Sequence, residues 1–358
     1  MPQQQYNQDP NARHHKGAPR PDVAVTNAEK AAGLDGNFES WHFTDEEFNR
    51  ASALRLIPYF GFVSLNNPNK RIPFIDGGGG SGDMMRHFVG SGYEFAVSSR
   101  PMVVDVDEDK LEVGRSRNHG IEYRHLNLLD MGSDALDLDP DVPVFYVQRA
   151  VTQYFQNGAR DGIRAFPVED SGFTTAQMEL YQHLLDVLPR GSIFTDILST
   201  GDPEGLHFFE NVLRIATGDE KQLHYIQPET IEENLDRINL DQPEGKSFIK
   251  LKTFTLTDSA DSQYGTRTIG DIFDRYKGIW MRVKGYTDEK HARKEFFASI
   301  LDSYAVMFPG GISADSIVRP IWDASERYIQ DIQFNIQYEG VVLQVMPMPT
   351  NGAVVHTN

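Results

Sequence analysis

The chain of 358 residues contains no cysteine. Disulfides, thiol nucleophiles and zinc–thiolate sites are excluded at once, and the absence suits a reducing compartment. No apolar run approaches the ~18 residues that a membrane span needs. The opening stretch MPQQQYNQDPNARHHKGAPRPD lacks the apolar core of a secretory signal, so a cytoplasmic location is expected. Its His14-His15 pair is too short to be a metal-binding tract, and no metal centre is expected. Basic residues are scarce: 34 Lys and Arg face 52 Asp and Glu, for a formal net charge of -18. A surface this acidic repels phosphate backbones and anionic lipid, which sets nucleic acid and membrane aside as partners. No internal repeat is visible. What remains is an ordinary globular composition, 39% hydrophobic and 24% charged.

The most informative stretch is 72–83, Ile-Pro-Phe-Ile-Asp-Gly-Gly-Gly-Gly-Ser-Gly-Asp. A short apolar run ends in an acid, a glycine cluster follows, and Met84 to Val89 reads as the start of a helix. Strand, acid, glycine turn and helix is the layout of a nucleotide-type cofactor site. Glycines let a ligand lie against the backbone, and the strand-end acid can accept hydrogen bonds from a cationic or hydroxyl-bearing group. Two registers fit the glycines. Gly77, Gly79 and Gly82 satisfy the dinucleotide pattern Gly-x-Gly-x-x-Gly, while Asp76, Gly78, Gly80 and Gly82 make an acid-x-Gly-x-Gly-x-Gly run.

Strands and helices alternate from here, which predicts a parallel sheet wound on both faces. Strands are expected at 72–76, 102–107, 122–126, 142–147 and 192–198, with helices at 83–89, 108–118 and 174–188. The second strand ends in Asp105, where an acid can accept hydrogen bonds from both ribose hydroxyls. It leads into Asp107-Glu-Asp-Lys-Leu111-Glu-Val-Gly-Arg115.

Together these two motifs resemble the class I, seven-stranded S-adenosylmethionine-dependent methyltransferases. That family carries the acid-x-Gly-x-Gly-x-Gly motif, followed by a second-strand acid and a Leu-Glu-x-small-Arg helix. The match covers 72 to about 200. Ile121 to Asp130 resembles the family's third strand, and Val144 to Phe155 the fourth with the helix start after it. Pro189-Arg190-Gly191 stands where the family usually has Pro-Gly-Gly. The resemblance implies an α/β fold, a doubly wound, mostly parallel Rossmann-like sheet, with S-adenosylmethionine as cofactor. It also implies roles by position. Asp76 would face the amino-acid end of the cofactor, and Gly78, Gly80 and Gly82 would let the chain approach it. Asp105 would bind the ribose, with Val106 beside the adenine. Asn127, or Asp130 in its place, and the backbone of Leu128 would fix the adenine edge. Arg149 or Ala150 would lie near the methionine moiety.

The catalytic group stays unassigned. Some relatives place a His at the start of the helix after the fourth strand; here Gln153 and Tyr154 stand there as weak candidates. Gln is not a base, and Tyr154 would need a lowered pKa. Positioning alone, or a base from the C-terminal half such as His207, His224 or Tyr225, is the expectation. An Asn-Pro-Pro-Tyr motif is absent.

Five parts are expected: a tail over 1–35, a helical segment over 36–70, the cofactor-binding core over 71–256, a largely helical insertion over 257–333, and a last core strand with its tail over 334–358. In the second part a Thr44–Glu47 capping box opens a helix to about Leu56, bounded by Pro58. Further helices are expected at 228–238, 268–283, 288–308 and 320–332, and strands at 248–256 and 334–345. The insertion, rich in aromatics, suits a pocket cap or a homodimer contact. The expected activity is methyl transfer to a small-molecule acceptor. The rivals are an NAD-dependent oxidoreductase, a cofactor fold used for a non-methylating reaction, and an interaction protein.

Overall fold

The computed structural model describes residues 46–97, 99–117, 120–149, 151–152, 173, 175–199, 227–240, 245–256, 265–305, 326, 330–331, 333–336 and 338–347. Nine strands are assigned among them: β1 Pro73–Gly77, β2 Arg100–Asp105, β3 Glu122–His125, β4 Phe145–Arg149, β5 Ile193–Ser199, β6 Lys246–Leu256, β7 Gly265–Thr268, β8 Gln333–Ile336 and β9 Tyr338–Pro347. The longer helices are α1 Glu46–Leu65, α2 Asp83–Val89, α3 Glu108–Ser116, α4 Thr175–Val187, α5 Ile269–Lys284 and α6 Glu289–Ala305.

Seven strands form one sheet in the order β3-β2-β1-β4-β5-β9-β6. Strands β1 to β5 pair in parallel, and β9 runs antiparallel to both β5 and β6. The fold is thus Rossmann-like α/β, with one reversed strand inserted between the fifth and sixth parallel ones. Every residue of β1 and β4 is buried, as a sheet covered on both faces requires.

One face packs under α1 and α2 through a ring cluster. Phe60 lies 5.5 Å from Phe74 and 4.9 Å from Phe88, and Phe74 lies 4.9 Å from Phe145. The other face packs under α4, where the Phe194 ring lies 5.7 Å from that of Tyr146, tilted to it, and meets Tyr181 edge-on at 5.4 Å.

Helix α1 corrects the sequence reading, which ended it before Pro58; it continues through that proline to Leu65. Leu56, Ile57, Phe60 and Val63 are buried, and their spacing crosses Pro58 without a break. Burying each such side chain is worth roughly 1.5–3 kcal/mol, against about 3 kcal/mol for an interior proline. The apolar face therefore wins. Thr44 of the expected capping box lies outside the described residues.

Five further differences are local. The expected second strand, 102–107, is shifted to Arg100–Asp105. The expected strand over 334–345 is two, Gln333–Ile336 and Tyr338–Pro347, which lie in different sheets. The expected fourth strand, 142–147, is shifted to Phe145–Arg149. The expected helix at 228–238 is two short ones, Pro228–Glu233 and Leu235–Ile238. Asn234 stands between them and its side-chain amide donates to the Thr230 carbonyl at 2.7 Å, a local bond that competes with the helix ladder. Strand β7 was not expected at all. It pairs with β8 in a separate two-stranded sheet, and its last residue, Thr268, forms a capping box with Asp271 to start α5. Most of the expected 320–332 helix lies outside the described residues.

Gly340 in β9 is opposite Phe254 of β6, and a Cβ there would stand 2.2 Å from the Phe254 ring. That ring also stacks on Tyr59 of α1 at 5.9 Å. Gly340→Ala is therefore expected to destabilise the fold by about 1–3 kcal/mol, read as a lower urea midpoint. An unchanged midpoint would show that the β6–β9 pair yields freely.

Candidate functional site

In a sheet of this kind ligands bind in the crevice beyond the carboxyl ends of the parallel strands. Here those ends carry the glycine turn after β1, Asp105 at the end of β2 and Gln148-Arg149 at the end of β4.

The turn grows directly out of β1. The Gly78 amide donates to the Val104 carbonyl at 2.7 Å and extends the β1–β2 ladder by one step. Gly78, Gly80 and Gly82 have φ of 71°, 55° and 75°, whereas Gly77 and Gly79 do not have positive φ. The alternating register is thus the one that needs glycine for its backbone. At Gly79 the reason is space: a Cβ would lie 2.7 Å from the Asp76 carboxyl. Gly82 then caps α2.

Asp76 is fully buried beneath this turn. Its Oδ2 accepts from Arg149 Nη2 at 3.4 Å, and Arg149 Nη1 donates to Asn49 Oδ1 of α1 at 2.8 Å. Burial raises the Asp76 pKa, and the Arg149 guanidinium opposes that rise. Asp76 Oδ1 has no hydrogen-bond partner among the described residues. Three elements therefore meet at one ion pair: β1, β4 and α1.

Asp105 is half-buried at the end of β2. Its Oδ2 accepts from the Gly80 amide at 2.8 Å and its Oδ1 from the Asp107 amide at 2.9 Å. Burial raises its pKa, while Lys110 and the two backbone donors pull the other way. An ionised carboxylate offers about four lone-pair sites, so roughly two stay open. Val106, next in the chain, is 52% exposed, an apolar surface beside the acid.

Asn127 caps the 3₁₀ turn Leu128–Asp130, its side-chain oxygen accepting from the Leu129 amide at 3.0 Å. The Leu128 side chain is buried in the core, so only its backbone can face a ligand. Gly78, Gly80, Asp76 and Arg149 thus gather at the β1–β4 end, and Asp105 joins them through Gly80. Asn127 sits at the neighbouring β3 end. Ala150, Gln153, Tyr154, His207, His224 and Tyr225 lie outside the described residues.

One group of polar residues escaped the sequence reading. Gln148, Thr152, Tyr181 and Asp196 are buried together on the α4 face. Asp196 Oδ2 accepts from Gln148 Nε2 at 2.9 Å and from Tyr181 Oη at 2.6 Å. Burial pushes the Asp196 carboxyl up to about 6, against the pull of these donors. The signal was available: an acid inside the apolar run of β5 needs partners. No group of three or more His, Cys, Asp or Glu that could hold a metal occurs among the described residues. No described helix is long and apolar enough to cross a membrane.

No protein-family model matches the chain, and no curated protein matches it. Several solved structures are similar in part. Phosphoethanolamine N-methyltransferase 2 of Haemonchus contortus, in complex with phosphomonomethylethanolamine and S-adenosylhomocysteine, is 14% identical over 90% of this chain, with a TM-score of 0.41. The chain spans 61% of that protein's length. YcgJ of Bacillus subtilis is 10% identical over 81% of this chain and 98% of its own, with a TM-score of 0.38. The magnesium protoporphyrin IX methyltransferase of Synechocystis, with bound S-adenosylhomocysteine, is 11% identical over 65% of this chain and 87% of its own, with a TM-score of 0.39. Scores of this size leave the sheet order and the glycine turn to carry the functional reading.

Breaking a buried ion pair from one side strands a charge, whereas removing both partners does not. Arg149→Met is expected to cost about 3–5 kcal/mol, and Asp76→Asn in the same chain should restore a large part of that. Urea unfolding of the two single variants and the double variant tests this. Strictly additive losses would mean that the pair is not coupled.

Proposed function

We propose that the chain is an S-adenosylmethionine-dependent methyltransferase acting on a small-molecule acceptor. The observation that carries this reading is the reversed strand β9 between β5 and β6. A dinucleotide-binding Rossmann sheet has the order 3-2-1-4-5-6, and the family that the motifs resemble instead ends in two antiparallel strands. The glycine turn supports it too, because the register with positive φ is the one that begins with an acid, Asp76, rather than the dinucleotide one.

The residues fit the cofactor. Asp105 keeps acceptor capacity for a ribose after holding the Gly80 and Asp107 amides. Asp76 Oδ1, buried and without a described partner, suits a cationic amino group. Val106 and the backbone after Asn127 suit a flat adenine. Arg149 holds Asp76 in place beneath the turn. When bound, the cofactor supplies a methyl group already activated on a sulfonium. The chain's task is then to orient the acceptor and exclude water. The net charge of -18 favours an acceptor that is not polyanionic.

Calorimetric titration with S-adenosylhomocysteine and with NADH separates the two cofactor classes. The wild-type chain should bind the first and not the second. Asp105→Ala should weaken binding by about 1.5–3 kcal/mol, the worth of a charged hydrogen-bond partner. Equal affinity of a folded Asp105→Ala chain would remove Asp105 from the ribose site.

A further inference from the structure

The buried cluster on the α4 face has no part in the cofactor contacts described above, yet it reaches the glycine turn in three steps. Asp196 lies mid-strand in β5, opposite Gln148 of β4. Its Oδ2 accepts a third hydrogen bond from the Thr152 hydroxyl at 2.5 Å. That hydroxyl in turn accepts from Gln148 Nε2 at 2.6 Å. The Thr152 carbonyl accepts from Gln177 Nε2 of α4 at 3.3 Å. Both the side chain and the backbone of Thr152 are therefore held. One residue earlier, Val151 lies directly against the turn: a Cβ at Gly78 would stand 2.5 Å from Val151 Cγ2.

Stability gives no reason for a carboxylate here. A buried acid costs more than an apolar side chain of the same volume, and its neighbours on the same face of β5, Phe194 and Leu198, are apolar and buried. What the acid provides is direction. Three donors converge on one oxygen, so the hydroxyl of Thr152 has one place to point. The segment that it fixes is the first after β4, and it leads into the stretch that carries Gln153 and Tyr154.

We propose that Asp196 is a positioning residue: acting through Thr152, it sets Val151 against the glycine cradle at Gly78 and so keeps the cradle in its ligand-binding shape. This rests on the reading of that cradle as an S-adenosylmethionine site. Asp196 itself touches no ligand.

The test uses the full chain and S-adenosylhomocysteine as probe. Affinity is measured by calorimetry and melting is followed without ligand, for wild type, Thr152→Val, Thr152→Ser and Asp196→Asn. Thr152→Val has the same shape without the hydroxyl, and should lower affinity about tenfold, the worth of a hydrogen bond to a charged group. Thr152→Ser keeps the hydroxyl and should recover most of that loss. In the Asp196→Asn chain, Thr152→Val should cost less than it does in wild type, because the two act on one contact. If Asp196→Asn does not fold, the Val and Ser pair at 152 decides alone. Thr152→Val binding as wild type does, whatever its melting temperature, would reduce the cluster to a structural one and overturn the inference. A wild-type chain that binds no S-adenosylhomocysteine would overturn both this inference and the cofactor reading; wild-type binding with an unaffected Thr152→Val overturns this inference alone.

Discussion

The buried pair between Asp76 and Arg149 is the constraint on which the site depends. Both charges lie out of water, and Arg149 reaches Asp76 from the end of β4 at 3.4 Å. Taking two charges out of water costs several kcal/mol each, and only close geometry with further hydrogen bonds offsets that. The further bond comes from Asn49 on α1. A helix that precedes the sheet in sequence thus becomes part of the floor beneath the glycine turn. Asp76 also leaves no room for a Cβ at Gly79, so the pair and the turn fix one another.

The two faces of the sheet handle buried polarity differently. On the α1 face a carboxylate is matched by a cation. On the α4 face Asp196 has three neutral donors and is pushed up to about 6. Strand β4 joins the two systems, because Gln148 and Arg149 are consecutive and alternate side chains point to opposite faces. A change at Gln148 therefore reaches the ligand end of the sheet from the α4 face, and a change at Arg149 from the α1 face. Asp105, Gln148 and Arg149 are held at strand ends, which position a site more precisely than loops do.

Much of this was legible in the sequence. Apolar runs bounded by glycine and proline located β1 and β5 to within a residue, while β2, expected over 102–107, lies two residues earlier and ends at Asp105, the acid singled out for the ribose. The glycine register could not be chosen from the glycines themselves, since four in a row fit two patterns; the flanking acid and the later strands chose it. Strand β4 was placed too early because Gln148 and Arg149 look like residues past a strand end. They are inside it, and their polarity is answered by Asp196 and Asp76, partners 48 and 73 positions away. Helix α1 was cut short by a local rule at Pro58 that burial of Phe60 and Val63 overrides. Strand β7 has four residues, too few for any period to show, and it exists through its pairing with β8. The position of β9 between β5 and β6 is likewise a long-range fact.

The central claim is that the glycine cradle holds S-adenosylmethionine. The direct measurement is mass spectrometry of the small molecules released when the purified protein is denatured, as isolated and after incubation with S-adenosylhomocysteine followed by desalting. The account predicts S-adenosylmethionine or S-adenosylhomocysteine in the released fraction, lost or reduced in Asp105→Ala. Release of NAD instead, or failure to retain any S-adenosylhomocysteine after incubation, would contradict it.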